Sequence, residues 1–155
     1  MIEIKNIYKK FGKLEVLNNI NLSFKKGECI ALIGPNGCGK TTLIKSILGM
    51  VIPTKGDILF DQKSILKEFK YRENIGYMPQ IGRYPDYMTV GQIIEMIKKI
   101  RNSEQVLDED LIKSFELEKI VDKQMRTLSG GTTQKVSATL AFLFNPEVLI
   151  LDEPT

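Results

Sequence analysis

Gly34-Pro35-Asn36-Gly37-Cys38-Gly39-Lys40-Thr41 matches the pattern G-x-x-x-x-G-K-[ST] in full. The chemistry this spacing serves is phosphate binding. Glycines let the backbone wrap an anion without Cβ clashes. Successive N–H groups then face inward as a nest, backed by the positive end of the helix that follows. Lys40 is placed to reach the β- and γ-phosphates of a nucleotide, the Thr41 hydroxyl to ligate Mg²⁺, and Thr42 to touch the α-phosphate.

A second acidic element lies near the end of the chain. Val148-Leu149-Ile150-Leu151 is a continuous apolar run followed by Asp152-Glu153. Such a run suits a strand buried on both faces, with the acids at its carboxyl end, where open α/β sheets bind ligands. Asp152 is suited to hold Mg²⁺ and Glu153 to act as general base toward an attacking water.

These residues need elements to position them. Ile2 to Ile7, Ile20 to Phe24 and Glu28 to Ile33 read as short strands, the last running directly into the glycine-rich turn. Thr41 to Met50 reads as a helix with Leu43, Ile47 and Met50 on one face. Gly56 to Asp61 and Ile75 to Met78 read as further strands. From Pro85 to about Gln134 the pattern turns helical. Thr89 can cap a helix carrying Ile93, Ile94, Ile97 and Ile100, and Asp108 another through Phe115. A third helix spans Thr132 to Phe144, stopped before Pro146. The expected organisation is one α/β domain, with residues 1–84 and 145–155 as the core and 85–144 as an inserted helical subdomain.

Composition sets outer bounds. The chain has 155 residues, 43% of them hydrophobic and 26% charged, as in ordinary globular domains. No apolar run is long enough to span a bilayer, and the N-terminus has neither a signal-peptide core nor transit-peptide character. A cytoplasmic chain is expected, reaching a membrane only through a partner. The net charge of +3 is small and the basic residues are scattered, which gives no support to nucleic-acid binding. Lys9, Lys10, Lys25 and Lys26 read as solvated surface. Cys29 and Cys38 are too few for a disulfide framework, and a reducing compartment fits them. The absence of histidine removes His-based catalysis and His/Cys zinc sites.

A phosphate loop alone leaves many nucleotide enzymes open. Leu128-Ser129-Gly130-Gly131, upstream of the Asp-Glu pair, resembles the signature motif of ATP-binding cassette (ABC) ATPases. Tyr77-Met78-Pro79-Gln80 resembles that family's Q-loop and Phe11-Gly12 its adenine-stacking A-loop. Asp152-Glu153-Pro154-Thr155 resembles its extended Walker B motif. The resemblance covers essentially the whole chain. It implies a P-loop NTPase core with an antiparallel N-terminal β part and an inserted helical subdomain. It also implies ATP and Mg²⁺ as ligands, with Lys40, Gln80 and Glu153 catalytic and Thr41, Gln80 and Asp152 on the metal.

Physics supports the signature reading. Ser129, Gly130 and Gly131 precede a helix and offer N–H groups, a hydroxyl and a positive helix end as a second anion site. The resemblance implies a head-to-tail homodimer, each ATP between one P-loop and the signature of the second ATPase subunit. It further implies a transmembrane permease subunit as partner and a peripheral place on the cytoplasmic face of the inner membrane. For the adenine stack Tyr8 competes with Phe11, which Gly12 favours. Val16 is either an adenine contact or core. Gln80 is either a loop amide or a metal and coupling residue.

The sequence departs from the family pattern in two places. Thr132 stands where Gln is commonest after the signature glycines, and no D-loop or switch histidine follows Thr155. The expectation is a fragment or a truncated coding region that binds ATP, turns it over poorly and associates through exposed sheet. The wording of Ile75–Gln80, Arg83–Pro85 and Leu128–Pro146 looks similar to the ATPase of the nitrous oxide reductase copper-maturation system, with a generic exporter ATPase as the rival. A soluble non-transport ABC protein and an inactive nucleotide-binding fragment are the alternatives from other classes.

Overall fold

In a computed structural model the described residues are 1–66, 68–101 and 106–152. They form two compact units, Met1–Arg72 and Glu73–Thr155.

The first unit is built on an antiparallel sheet. Strands β1 (Ile2–Phe11) and β2 (Leu14–Phe24) form a hairpin closed by Gly12 and Lys13, with Gly12 at φ 59°. Strand β3 (Lys55–Phe60) pairs with the other edge of β1, and β4 (Lys63–Ser64) extends the sheet to the order β2-β1-β3-β4. Ile2, Ile4 and Ile7 are buried along β1, facing Leu17 and Ile58 in the core. Two asparagines at positive φ, Asn6 and Asn19, bend the hairpin where its register shifts. They are joined by a side-chain hydrogen bond of 2.9 Å, and asparagine tolerates that backbone region better than most residues.

Helix α1 (Lys40–Ile47) packs against β2 and buries Leu43 and Ile47. It stops earlier than the expected Met50. Gly49 takes φ 66°. Its N–H donates to Ser46 O and that of Met50 to Lys45 O, the paired bonds of a Schellman cap. The cap turns Met50 away, and Met50 is exposed rather than part of the buried face.

The strand expected over Glu28–Ile33 does not form. Ile30, Leu32 and Ile33 are exposed, Ile33 at 89%. An apolar run encodes a preference for burial, but a strand exists only where a neighbour supplies its ladder. Among the described residues no sheet includes this segment.

In the second unit, β5 (Ile75–Met78) and β6 (Val148–Leu151) pair in parallel, Ile75 opposite Val148 through Met78 opposite Leu151. The helices lie between them in sequence: α2 (Val90–Arg101), α3 (Asp110–Ser114) and α4 (Gly130–Phe142). Thr89 begins α2 with a capping box. Its Oγ1 accepts from Gln92 N at 3.2 Å while Gln92 Oε1 accepts from Thr89 N at 2.9 Å. Ile93 and Ile94 are buried with Val90, Leu117, Val136 and Leu143, whereas Ile100 at the helix end is exposed. Asp108 does not cap a long helix. It accepts from Asp110 N at 3.0 Å, but stands two residues before the short α3, whose N-cap is Glu109. Helix α4 starts two residues before the expected Thr132, with Ser129 as its N-cap.

Gly76 sets the seat of α4 on this strand pair. A Cβ there would meet Ala141 O, Pro146 Cγ and Leu149 Cδ1. Gly76→Ala is therefore expected to lower unfolding stability by about 1–3 kcal/mol through overpacking. Urea denaturation would check it, and an unchanged midpoint would show that α4 does not need this close approach.

Candidate functional site

Gly34–Gly39 runs as an irregular loop into α1. Gly37 and Gly39 hold φ 81° and 100°. At Gly39 a side chain is excluded twice, because its backbone is left-handed and a Cβ would lie 2.8 Å from Val16 O and 3.0 Å from Leu17 Cδ2. Gly34 lies against Cys38 Sγ, at 2.8 Å from an added Cβ. Cys38 itself is exposed and unpaired. Lys40 folds back over the loop, its Nζ donating to Gly34 O at 2.7 Å and Pro35 O at 3.1 Å. Helix α1 has no side-chain cap and no acid in its first turn. Its leading N–H groups, with Lys40, Thr41 and Thr42, thus form a concentrated positive end, and the loop fits an anion.

The Gly39 contact joins this loop to the β1–β2 hairpin, because Val16 lies on β2 close to the turn. Phe11 ends β1 at that turn and is 50% exposed. Tyr8 is half-buried farther along β1. The structure thus brings the Walker-type loop, Val16 and the Phe11 hairpin together within one unit. Lys9 differs from its expected role as free surface. Its Nζ donates to Ile52 O at 2.7 Å and lies 4.9 Å from the centre of the Phe11 ring. The period-two spacing of Lys9 and Phe11 on a strand was the available signal. Lys10 pairs with Glu15 across the hairpin at 2.7 Å.

In the second unit the carboxyl ends of β5 and β6 lie side by side. Asp152 N donates to Met78 O at 2.9 Å, extending the pairing by one residue. The Asp152 side chain is buried, with the Tyr77 hydroxyl donating to Oδ2 at a long 3.5 Å. Burial first, then the Asp152 charge and this hydrogen bond, push the Tyr77 phenol above its ordinary range. Tyr77 is a neighbour of Asp152 that pattern reading did not single out; parallel pairing of the two strands reveals it. Gln80 is exposed two residues past β5. Glu153 lies outside the described residues. Within this unit Gln80 offers an amide and Asp152 a carboxylate, and in the first unit Thr41 offers a hydroxyl; each by itself is a hard oxygen donor of the kind Mg²⁺ takes.

Ser129 caps α4. Its Oγ accepts from Thr132 N at 3.2 Å and lies 2.8 Å from Thr132 Oγ1. The departure at Thr132 thus keeps the helix start intact. Gly130 and Gly131 are exposed, and a Cβ on either would meet nothing within 4 Å. Among the described residues nothing in the packing requires them to be glycine. Further along α4, the buried Ser137 hydroxyl shares a 2.8 Å hydrogen bond with Tyr84, on the segment that follows Gln80.

Comparison with known proteins gives consistent results. Residues 17–155 match the family described as ABC transporter. The chain is 40% identical over 157 aligned positions to the zinc import ATP-binding protein ZnuC of Rickettsia conorii, covering 99% of this chain and 62% of that protein. It is 36% identical to the sulfate/thiosulfate import ATP-binding protein CysA of Pectobacterium atrosepticum, covering 99% and 49%. It is 33% identical to the spermidine/putrescine import ATP-binding protein PotA of Legionella pneumophila, covering 99% and 43%. The chain thus spans between 43% and 62% of the length of these relatives. Among solved structures, an ATP-binding subunit of an ABC transporter superposes with TM-score 0.88 at 29% identity, over 99% of this chain and 66% of that one. A dimeric ATP-binding cassette in a post-hydrolysis state, bound to ADP and Pi, superposes with TM-score 0.86 at 27% identity, over 100% and 75%.

The partly buried Tyr84 gives the second unit an alkaline signature. Burial raises its phenol above the ordinary value, and the bond to Ser137 offsets this only in part. The folded state therefore keeps a proton that the unfolded chain loses near pH ~10. This contribution is complete below that pH and is lost as pH rises through the folded value. Tyr84→Phe is expected to flatten the fall in urea midpoint above pH ~10. It should also cost about 1 kcal/mol at neutral pH, because the Ser137 hydroxyl loses its partner. Parallel pH profiles of parent and variant would show that burial does not matter at this tyrosine.

Proposed function

We propose a function from one premise: the chain belongs to the ABC transporter family, in its ATP-binding subunits. The proposed function is ATP binding and hydrolysis that powers substrate movement through a separate transmembrane permease. One observation carries it. The phosphate loop, with Lys40 bonded across Gly34 and Pro35, opens at the uncapped start of α1 and adjoins the Phe11 hairpin through Gly39 and Val16. That arrangement offers an anion site and an exposed aromatic ring in one unit.

The proposed roles follow. Backbone N–H groups of Gly34, Asn36, Gly37, Cys38 and Gly39 surround the phosphates, while Pro35, which has no N–H, only shapes the turn; Lys40 neutralises the phosphates, and Thr42 touches the inner one. Phe11 stacks on adenine. Thr41, Gln80 and Asp152 hold Mg²⁺, which when bound supplies positive charge to the phosphate oxygens. Glu153 takes the proton of the attacking water. Ser129, Gly130 and Gly131 face the phosphate carried by a second, head-to-tail subunit. Residues 85–144 act as a helical subdomain inserted in sequence between the core segments 1–84 and 145–155. Among the described residues no helix is long and apolar enough to cross a membrane. A peripheral place on the cytoplasmic face, beside the permease, suits this. The named relatives serve zinc, an oxyanion and polyamines. Cargoes so unlike one another imply that selection rests with the permease.

Two measurements test this reading. Lys40→Ala removes the cation facing the phosphates, and titration calorimetry of Mg-ATP should show binding lost. Equal affinity in parent and variant would refute the loop assignment. In the full-length protein, Glu153→Gln should bind ATP, release almost no phosphate and sediment as an ATP-dependent dimer. Adding Ser129→Asp keeps a good N-cap but sets an anion against the phosphate. That double variant should stay monomeric with ATP. A dimer indifferent to both ATP and Ser129 would exclude the head-to-tail site.

A further inference from the structure

We infer that Lys9 belongs to the nucleotide site, as a residue that positions and polarises Phe11 for stacking on a purine base. This rests on the proposed adenine role of Phe11. Lys9 and Phe11 stand two apart on β1 and so share a face of the strand. The Lys9 ammonium is held in place by Ile52 O at 2.7 Å. From there it lies 4.9 Å from the ring centre, within cation–π range.

Two consequences follow from that geometry. The cation occupies one face of the ring and restrains its rotamer, yet half of the Phe11 surface stays open. A ring already restrained loses less entropy when a base stacks on it. The cation also draws π density toward itself. An aromatic face is negative, and two such faces repel when they stack. A cation over one face of Phe11 makes the opposite face less negative and eases the approach of a flat, π-rich base to that face. Lys9 thus favours the purine end of the ligand without touching it.

The phosphate end offers an internal control. A long-range charge effect of Lys9 would help any polyanion, whereas action through Phe11 helps only a ligand that carries a base. Titration calorimetry with Mg-ATP and with inorganic triphosphate, on the parent, Lys9→Met, Lys9→Arg and Phe11→Ala, separates the two. Lys9→Met should weaken Mg-ATP by about two- to fivefold and leave triphosphate unchanged. Lys9→Arg, which keeps a cation over the ring, should bind like the parent. Unchanged triphosphate affinity also shows that the variants are folded. Lys9→Met binding ATP like the parent while Phe11→Ala binds weakly would overturn the role of Lys9 alone. Equal weakening of ATP and triphosphate would do so too, in favour of a charge effect. Parent-like ATP binding by Phe11→Ala would overturn the adenine role of Phe11 and the role of Lys9 with it.

Discussion

The seat of Gly39 against Val16 is the contact on which the proposed nucleotide site depends. Helix α1 must begin where its N–H groups are open and where no side chain intervenes. Gly39 meets both demands: it is left-handed, carries no capping side chain and fits within a Cβ's reach of the β2 backbone. The same contact ties the loop to the hairpin that carries Phe11. Any larger residue there would strain the backbone and push the loop off β2. The phosphate-type loop and the Phe11 hairpin are therefore held to one another by one missing methyl group.

A comparable constraint acts in the second unit. Gly76 lets α4 approach β5 until Ala141 O lies over the strand. The parallel register with β6 then puts Asp152 directly after the strand end, its N–H bonded to Met78 O. Arg101 closes the opposite end, donating to Glu73 O and Ile75 O with its guanidinium 4.8 Å from the Phe144 ring centre. The acid's position thus comes from packing behind it rather than from partners in front of it.

Local signals were legible in the sequence where a local cause decides the outcome. The Thr89 cap and the glycine-rich loop depend on residues within a few positions of one another, and the apolar runs of β5 and β6 became strands because each found the other as a distant partner. The Glu28–Ile33 strand failed because a ladder needs a distant neighbour, which an apolar run cannot reveal. Met50 failed because Gly49 ends the helix by a backbone cap that hydrophobic spacing does not encode. Among site residues, motif types marked Lys40, Asp152 and Ser129. Lys9 and Tyr77 became visible only through a strand face and a parallel pairing.

The glycines divide in a way that bears on what each site meets. Gly39, Gly56 and Gly76 are required by their own chain, since a Cβ at each would strike neighbouring backbone. Gly130 and Gly131 are not; the space around them is open. Glycine is a poorer helix former than alanine, so two unrequired glycines at a helix start carry a cost. That cost has a physical use when something from outside must come close to the backbone N–H groups. The phosphate of the proposed head-to-tail site would meet that description, because it needs the amides uncovered and brings its own positive surroundings. Ser129 fits the same purpose, serving as cap to its own helix while its hydroxyl remains at the surface.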